Sequence, residues 1–571
     1  MMRMVRKYVG FPLIWRSRLQ ARGFLRQTAE TPTVQRDWLL SHLARHAESQ
    51  FGREHHLGEI RSPADFRRQV PIRGYEGHEP YIERVRNGDL SALFGAGTEV
   101  LMFAKTSGTT DRPKTIPVTR EALNAYRDGW KIWGIMAFDA HPEMLRKGMK
   151  PILQIASDWR ESFTPSGIPC GAITGLTAAI QNPLVRANYR MPACASRIKD
   201  IEAKYYVALR MSVGRDLGAI IAANPSTLLA IARLGDREKQ TLIRDIADGS
   251  IDPKWNISEE NRGKLRLRSR WKRKGAARRL EQIVEQTGRL LPKDYWPGLQ
   301  LVANWTGGTM GAYLQQFPEF FGETPIRDPG LIASEGRMTI PIEDGTPAGI
   351  LDIRHHYFEF IPEDQEDLED PEVVEADDLV EGQRYFLLLT TAGGLYRYHI
   401  HDLVRCVGFH GKAPLIEFLN KGAHISSLTG EKLSEFQVVA AASAAQRALG
   451  LRLGSFLLLP TWGELPYYNL LVESKDLPAN ADDRLAAEMD TQLRAQNLEY
   501  ENKRDTRRLG PVRLCRLPDG SWADFQRRRL AKSGGTVEQY KKPCLLSDPS
   551  AIEMFPSLST LASDPSRMRT A

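Results

Sequence analysis

The sequence predicts an α/β fold divided over two or more domains, and three observations support this prediction. A chain of 571 residues is too long for one ordinary hydrophobic core. The apolar run at residues 101–104 predicts a buried strand, and a helical pattern follows at 120–138 after a polar loop. Residues 299–303 repeat this order, with a strand-like run, paired glycines and a helical pattern through Tyr313. Strands that alternate with helices are typical of the α/β class.

The composition is that of a globular protein with reduced cysteines. Hydrophobic residues make up 42% of the chain and charged residues 26%, which excludes whole-chain disorder. No apolar run approaches the roughly 20 residues that span a bilayer, so no membrane span is expected. The five cysteines are scattered without CxxC spacing. This pattern predicts cytoplasmic thiols, without a disulfide framework or a zinc site.

Charge is concentrated in three segments. The first 30 residues are rich in arginine, which favours a basic helix packed on the body of the protein over a transit peptide or an interfacial helix. Residues 262–279 carry ten basic side chains, and residues 363–378 carry ten acids. No nucleic-acid-binding motif accompanies the basic run. We therefore expect a solvated helix face that could dock the acidic stretch, itself an exposed loop, and no nucleic-acid partner.

The polar loop that follows the first strand is the segment most informative about function. Its polar groups surround Gly108 and are the side chains of Thr106, Ser107, Thr109, Thr110 and Lys114. Glycine lets the backbone approach a ligand closely, hydroxyl and N–H groups donate hydrogen bonds, and lysine supplies a compact positive charge. The loop is not a Walker A motif, because Pro113 replaces the second glycine. Thr119 then predicts the N-cap of the helix over 120–138.

This loop resembles the phosphate-binding signature of adenylate-forming enzymes, T/S-S-G-T-T/S followed within a few residues by a lysine, here Lys114. More closely, it resembles the auxin-responsive promoter family of acyl acid amido synthetases, of which the chain is identified as a bacterial-type member. The segments 65–72 and 81–88 precede the loop in the family's order. The resemblance implies the adenylate-forming fold, in which a large N-terminal domain of β-sheets flanked by helices carries a smaller, mobile α/β C-terminal domain.

Three further motifs extend the resemblance. Thr306 stands where the family has a T-G-S-M segment on the adenine side. Residues 332–336, IASEG, resemble the family's Y-x-S-S-E, in which Ser334 belongs to the ATP site and Glu335 to the Mg²⁺ site. A carboxylate suits this hard cation. Tyr357, in the Y-F-E-F strand, is implied to face the nucleotide.

The most extensive downstream match is residues 385–408, which contain the family's G-L-Y-R-Y-x-x-x-D. The resemblance assigns Asp402 to the ribose hydroxyls, and an ionised carboxylate has the acceptor sites for that task. His399 and His401 share one face of the strand. No third ligand is evident in the sequence, so the pair is given no metal role.

The resemblance continues into the C-terminal part. It places a hinge near residues 418–422, which divides the chain into an N-terminal ATP- and acyl-acid-binding domain, 1–418, and a mobile domain, 419–571. Lys541, within Q-Y-K-x-P, matches the lysine that approaches the α-phosphate, and with Lys114 it completes the expected catalytic pair. Cys544 replaces the arginine that ends this motif in the family.

The resemblance implies a ligase that uses ATP and Mg²⁺ to adenylate a carboxylic acid and passes the acyl group to an amine, expected to be an amino acid. Two alternatives remain open from the sequence. An acyl-coenzyme A ligase shares the first step, and the departures at Leu331, Ala333 and Cys544 would suit a non-catalytic adenylate-binding protein. Neither the acid nor the amine can be identified from the sequence.

Overall fold

The computed structural model describes residues 2–106, 114–146, 148–181, 183–307, 310–314, 316–366, 368, 370–421, 425–451, 453–478, 480–533 and 543–555. They form two compact units, the first ending at Leu419 and the second beginning at Asn420. No helix among these residues has the length and apolarity that crossing a membrane requires.

The first unit contains sixteen of the described helices and fifteen of the described strands. Its helices are α1 (Met2–Gln27), α2 (Thr31–His46), α3 (Gln50–Glu54), α4 (Pro63–Gln69), α5 (Glu79–Arg86), α6 (Arg120–Ala140), α7 (Ile173–Ala179), α8 (Pro183–Arg186), α9 (Ile201–Ser212), α10 (Pro225–Arg237), α11 (Lys239–Asp248), α12 (Glu259–Ser269), α13 (Lys274–Thr287), α14 (Pro292–Tyr295), α15 (Gly311–Leu314) and α16 (Phe317–Phe321). Its strands are β1 (Val100–Thr106), β2 (Lys114–Thr119), β3 (Ile152–Gln154), β4 (Ser162–Phe163), β5 (Pro169–Gly171), β6 (Ala219–Ile221), β7 (Leu301–Ala303), β8 (Ile326–Arg327), β9 (Thr339–Ile340), β10 (Gly349–Leu351), β11 (His356–Pro362), β12 (Val374–Glu375), β13 (Arg384–Thr391), β14 (Tyr398–His410) and β15 (Ala413–Lys421).

The second unit is smaller and also mixes helices with strands. Its elements are β16 (Ile425–Ser426), β17 (Leu433–Ser434), α17 (Glu435–Leu449), β18 (Phe456–Thr461), β19 (Tyr467–Glu473), α18 (Asp482–Gln496), α19 (Leu498–Asp505), β20 (Arg513–Leu517) and α20 (Ser521–Ser533). Strand β19 lies between antiparallel β18 and parallel β20, and alternate residues of these strands pack into two separate apolar clusters. The predicted α/β fold, with a large N-terminal and a smaller C-terminal part, is confirmed.

Three sheets organise the first unit. The strand orders are β2-β1-β5-β4, β3-β6-β7-β8 and β12-β11-β13-β14-β15-β10-β9. In the seven-stranded sheet, β11 and β13 pair antiparallel along their whole length, from His356 opposite Thr391 to Pro362 opposite Tyr385. Every residue of β13 after Arg384 is buried. Strand β13 is therefore buried on both faces, which fixes the positions of the strands that pair with it.

The segments on either side of the polar loop agree with the sequence. The strand predicted at 101–104 is β1, which pairs antiparallel with β2. Thr119 caps α6 as predicted, because its Oγ1 accepts a hydrogen bond of 3.0 Å from the Ala122 backbone N–H. These strands fix both ends of the loop, Thr106 and Lys114, directly opposite each other.

Two expectations about secondary structure are corrected. The acidic stretch 363–378 is more ordered than the expected loop, since β12 lies within it and pairs with β11, placing Glu375 opposite Glu359. Strands β3 and β6 belong to a parallel sheet that the sequence did not predict. These strands have three residues each and bury consecutive side chains, so they lack the alternation by which a strand is recognised.

The basic N-terminal helix packs on the body of the first unit, as expected. Ala21 and Phe24 of α1 are buried, and the Arg18 guanidinium pairs with Asp139 of α6 at 2.7 Å. This contact holds at least the second half of α1 against α6.

Candidate nucleotide site

The turn between β13 and β14 carries the G-L-Y-R-Y motif and is held by a segment far away in the sequence. The backbone N–H of Tyr396 donates to His78 Nε2 at 3.1 Å. The backbone N–H of His399 donates to the Arg73 carbonyl at 2.9 Å, which makes Arg73 and Tyr398 a parallel bridge. The segment between α4 and α5 therefore sets the position at which β14 begins.

Asp402 projects from an irregularity in β14. Leu388 pairs with His399 and Phe386 pairs with Leu403, so three residues of β14 lie opposite the single residue between those partners on β13. His401, inside this bulge, has a left-handed backbone with φ of 58°. Bulges of this kind re-aim side chains next to functional sites. The carboxylate of Asp402 is thereby held at 2% exposure.

Glu335 occupies the tip of a tight β-turn. Ile332 and Arg337 form an antiparallel bridge, and Ala333 and Gly336 exchange backbone hydrogen bonds of 2.9 and 3.3 Å. The Tyr126 hydroxyl from α6 donates to the Ala333 carbonyl and so anchors the turn. Glu335 is 7% exposed, yet its carboxylate makes no hydrogen bond or ion pair with the residues that the structure describes.

Tyr398 links these two motifs. Burial raises the pKa of the Tyr398 hydroxyl well above 10, and the nearby carboxylates of Glu335, Asp402 and Glu76 raise it further. Two carboxylates that the sequence places in separate motifs thus act on one buried phenol. Glu76 adds a third, which the sequence did not single out.

Lys114 is connected to this group of residues through Tyr75. It begins β2, is half-buried, and its Nζ is 5.3 Å from the centre of the Tyr75 ring. Tyr75 is itself near Tyr398, and its hydroxyl accepts a hydrogen bond of 3.1 Å from the Thr115 backbone N–H. The sequence motifs assigned no role to Tyr75. Its contact with Lys114 and its electrostatic effect on Tyr398 make it part of the site.

Thr306 is fixed by an aspartate that the motifs did not include. Its backbone N–H and its hydroxyl both donate to Asp328 Oδ2, at 2.6 and 2.9 Å. Burial raises the pKa of Asp328 to about 6, although these hydrogen bonds and that from the Gly330 N–H oppose the shift. The Thr306 hydroxyl proton is therefore already engaged, and its oxygen remains available as an acceptor.

The other predicted residues differ in their positions. Ser334 is half-buried beside Glu335 on the same turn. Tyr357 is only 1% exposed and packs edge-on against Phe66, with ring centres 6.1 Å apart. Such burial favours a packing role for Tyr357, and its expected contact with the nucleotide stays a prediction. Five predicted residues lie outside the described residues: Ser107, Gly108, Thr109, Thr110 and Lys541.

The histidine pair next to Asp402 has a neighbour that the sequence did not reveal. The ligand atoms of Glu366, His399 and His401 all lie within 4.8 Å of one another, so the fold supplies a third candidate ligand. However, the backbone N–H of His401 donates to His399 Nδ1 at 3.0 Å. A neutral His399 then carries its proton on Nε2, so neither ring nitrogen is ready to bind a metal in this arrangement.

A buried network of ion pairs stabilises the turn between β13 and β14, through Arg397. Glu359 of β11 is 1% exposed and accepts from Arg397 Nε at 3.0 Å and from Arg67 Nε at 3.1 Å. Arg67 also reaches Glu375 at 2.6 Å, while Arg397 donates to the Val70 carbonyl at 2.9 Å. Arg397 has φ of 45°, a conformation that these bonds stabilise.

Comparison with known proteins agrees with this geometry. The models of the GH3 family N-terminal, central and C-terminal domains match residues 20–326, 349–421 and 436–550. Indole-3-acetic acid-amido synthetase GH3.4 of Arabidopsis thaliana is 24% identical, with 94% of this chain and 93% of that protein covered. The 4-substituted benzoates-glutamate ligase GH3.12 of Arabidopsis thaliana is 24% identical, over 86% of this chain and 88% of that protein.

A solved structure shares the fold. The GH3.15 acyl acid amido synthetase superimposes with a TM-score of 0.63 at 21% identity, covering 93% of this chain and 94% of that one. The N-terminal family model alone spans more than half of the sequence. This chain therefore belongs to the GH3 family.

Proposed function

We propose that this chain is an ATP-dependent acyl acid amido synthetase that couples a small carboxylic acid to an amino acid. The predicted class, a ligase that forms an amide through an acyl-adenylate, agrees with family membership and with relatives named as amido synthetases over nearly the whole chain.

The proposal is supported most directly by the arrangement of three charged residues. Lys114, Glu335 and Asp402 come from three separate motifs, and each lies near Tyr398 or its neighbour Tyr75. The site thus offers one cation and two carboxylates near the phenols of Tyr75 and Tyr398. ATP binding requires three such groups, one for each of three functions. These functions are neutralising the phosphates, holding Mg²⁺ and recognising the ribose.

In the first half-reaction, a carboxylate oxygen of the acid attacks the α-phosphorus of ATP. The bond from this phosphorus to the bridging oxygen breaks, which gives acyl-adenylate and pyrophosphate. Lys114 stabilises the negative charge that develops on the phosphate oxygens. The hydroxyls of Ser107, Thr109 and Thr110 and the backbone at Gly108 complete the proposed phosphate contacts.

Glu335 fits the role of a Mg²⁺ ligand. Its side chain is mostly buried, and its carboxylate makes no hydrogen bond or ion pair with the described residues, so both oxygens are available to a cation. Mg²⁺, when bound there, would supply positive charge beside the phosphates. The hairpin bonds of Ala333 and the anchor from Tyr126 keep the carboxylate in place.

Asp402 serves the ribose in this proposal. Its carboxylate is held in place by a bulge in β14. Two vicinal ribose hydroxyls can therefore donate to it, and no loop has to become ordered on binding. Thr306 would lie on the adenine side, held by Asp328, with Ser334 near the phosphates. Tyr357 would support this edge through the packing of β11.

In the second half-reaction, the amine nitrogen attacks the activated carbonyl carbon. The amide bond forms, AMP leaves with the electron pair of the broken C–O bond, and the nitrogen loses a proton. The proposal includes a C-terminal domain, 419–571, that moves about residues 418–422 between the two steps and brings Lys541 to the α-phosphate for the first.

The acceptor distinguishes this function from that of an acyl-coenzyme A ligase. The purified protein would be incubated with ATP, Mg²⁺, a panel of carboxylic acids and either an amino-acid mixture or coenzyme A. We expect AMP release and an acyl-amide mass with amino acids, and none with coenzyme A. A thioester product without any amide would refute amide synthesis but keep the adenylation step. Absence of acid-dependent ATP–pyrophosphate exchange across the panel would favour a non-catalytic adenylate-binding protein.

A further inference from the structure

Helices α12 and α13 and the connection 270–273 between them, together called the α12–α13 hairpin, carry the basic run 262–279, to which the proposed reaction assigns no task. One side of the hairpin is firmly attached to the first unit. Leu265, Ala277 and Leu280 are 0%, 2% and 3% exposed, and the Arg210 guanidinium donates to the Ser269 carbonyl at 2.8 Å. The opposite side is therefore presented to solvent on a rigid support.

The basic residues of the run fall into two classes. Arg262 and Arg273 turn inward and donate to backbone carbonyls, at 2.7 Å to Trp255 and at 2.9 Å to Val213. Burial lowers the pKa of Arg273 to about 10, and neighbouring arginines contribute. The outward class consists of Lys264, Arg266, Arg268, Arg270, Lys272, Lys274, Arg278 and Arg279.

The outward cations are almost without counter-charges. Lys264 pairs with Glu260, but no ion pair joins the other seven to any residue that the structure describes. The sequence contains no acid between Glu260 and Glu281. Among the described residues of the acidic stretch, the expected docking is not found either, because their ion pairs go to Arg67, Arg384 and His401. A concentrated positive field of this kind attracts an anionic partner from outside the chain.

Two large apolar side chains project among these cations. Leu267, in the last turn of α12, is 67% exposed, and Trp271, in the connection to α13, is 64% exposed. The Arg270 guanidinium lies 5.4 Å from the centre of the Trp271 ring. Water is a poor environment for both apolar groups, whereas the boundary between lipid headgroups and acyl chains accommodates an indole and an aliphatic side chain ringed by Lys and Arg.

We propose that the α12–α13 hairpin is a docking surface for an anionic phospholipid bilayer, on which the protein binds peripherally. The seven unpaired cations contact headgroup phosphates and carboxylates, while Leu267 and Trp271 enter the interfacial layer. A nucleic acid would satisfy the cations equally well, but it would leave Leu267 in water, since an aliphatic side chain has no ring on which a base can stack. The combination of charge and aliphatic surface therefore favours lipid.

The test uses the full-length protein and vesicles of phosphatidylcholine with and without phosphatidylserine. We expect co-sedimentation only with the anionic vesicles, and release as salt is raised. The triple variant Arg266→Glu, Arg270→Glu, Lys274→Glu should lower the partition coefficient on the order of 100-fold, since each cation near the surface contributes a several-fold gain. The double variant Leu267→Ser, Trp271→Ser should also release the protein.

Matched variants separate this surface from net charge and general hydrophobicity. Lys293→Glu, Lys412→Glu, Arg484→Glu changes the net charge equally at exposed positions elsewhere, and Trp15→Ser removes an indole of 63% exposure from α1. Both should leave vesicle binding unchanged, and circular dichroism should show every variant folded. Equal binding to neutral vesicles, an equal loss in the matched variants, or displacement of the protein from vesicles by RNA at lower concentration than by anionic lipid would overturn the proposal.

Discussion

Two regions of this molecule differ in how their arginine side chains are solvated and paired. At the buried turn before β14, Arg397 is 5% exposed, and its guanidinium is bonded to Glu359 and to backbone carbonyls. On the α12–α13 hairpin, Arg270 is exposed and has no ion pair among the described residues. The difference follows from solvation, because a charge removed from water must be paired, whereas an exposed charge stays available to an outside partner.

The two regions should therefore respond differently to the loss of a charge. Removing one member of a buried network leaves its partners unpaired in a medium of low polarity, which is costly. Removing an exposed cation changes the free energy of unfolding little, because its side chain is already solvated in the folded protein. Four variants or conditions test this contrast, beginning with the largest expected effect.

Glu359→Gln should destabilise the first unit most. The change removes the carboxylate that holds both Arg67 and Arg397, so Arg397 keeps its charge without an ionic partner, at a cost of about 3–5 kcal/mol in the free energy of unfolding. Urea denaturation would measure it. The matched control is Glu363→Gln, whose pair with Arg384 is 3.5 Å long and half exposed, and which should cost less than about 1 kcal/mol. Equal losses would show that the network is not a stabilising element.

Lys114→Ala should affect activity more than stability. Lys114 is half-buried at the start of β2, so the fold should tolerate the change, while the barrier of acid-dependent ATP–pyrophosphate exchange should rise by about 2–4 kcal/mol. Lys105→Ala is the control, because Lys105 lies on the paired strand and is held 3.6 Å from Glu161. Exchange at the parental rate in Lys114→Ala would remove that residue from the proposed catalytic pair.

Acid should loosen the first unit before the second. Burial lowers the pKa of His46 and of His78 to about 4, below the 6.5 of an unfolded histidine. Between pH 6.5 and pH 4 the unfolded chain binds more protons at these histidines than the folded chain does. Each neutral histidine therefore contributes fully to the free energy of unfolding above pH 6.5. This contribution is lost as the pH falls toward 4, by about 1–3 kcal/mol for each group.

Hydrogen exchange at pH 7 and pH 5 would measure this effect. Protection of α2 and α5, which adjoin His46 and His78, should decrease more than that of α18, since no histidine lies among the described residues of the second unit. His355 acts with the opposite sign. Asp352 and Asp128 raise its pKa to about 9 against the effect of burial, so its contribution is full below pH 6.5 and is lost as the pH rises through 9. Equal loss of protection in α2 and α18 would contradict the assignment to buried histidines.

The smallest effect is expected from Arg270→Ala on the exposed hairpin. Its free energy of unfolding should stay within about 0.5 kcal/mol of the parent, as for most surface substitutions. Arg273→Ala, three residues away, should cost about 1–3 kcal/mol, because its guanidinium serves two buried carbonyls. Thermal unfolding would compare the pair. A larger loss in Arg270→Ala would mean that the outward cations support the fold.

Local patterns in the sequence were sufficient where the structure is local. The strand β1, the cap at Thr119 and the helix α6 follow from residues within one turn of each other, and their order along the chain led to the correct family. The expected roles of Lys114, Glu335 and Asp402 came from motifs, and the fold brings these residues near one pair of phenols. Their tasks in catalysis remain proposals.

Residues that act across long sequence distances were missed. Tyr75 and Glu76 join the site because Arg73 forms a bridge with Tyr398, and Asp328 holds Thr306 from a different strand. Glu366 completes a group with two histidines that no spacing rule connects to it. Hydrophobic periodicity also gives little signal for very short strands, which is why β3 and β6 were not predicted although β7 of the same parallel sheet was.

By itself, the sequence determined the fold class, the family and the motifs from which the site is assembled, because each of these depends on residues close together in the chain or on their order. Only the tertiary structure decided which charges are paired. The run 262–279 shows why, since Arg270 and Arg273 are alike in sequence context, yet one points to solvent and the other donates to the Val213 carbonyl. Burial sets the energy of a charge, and burial depends on contacts between distant segments.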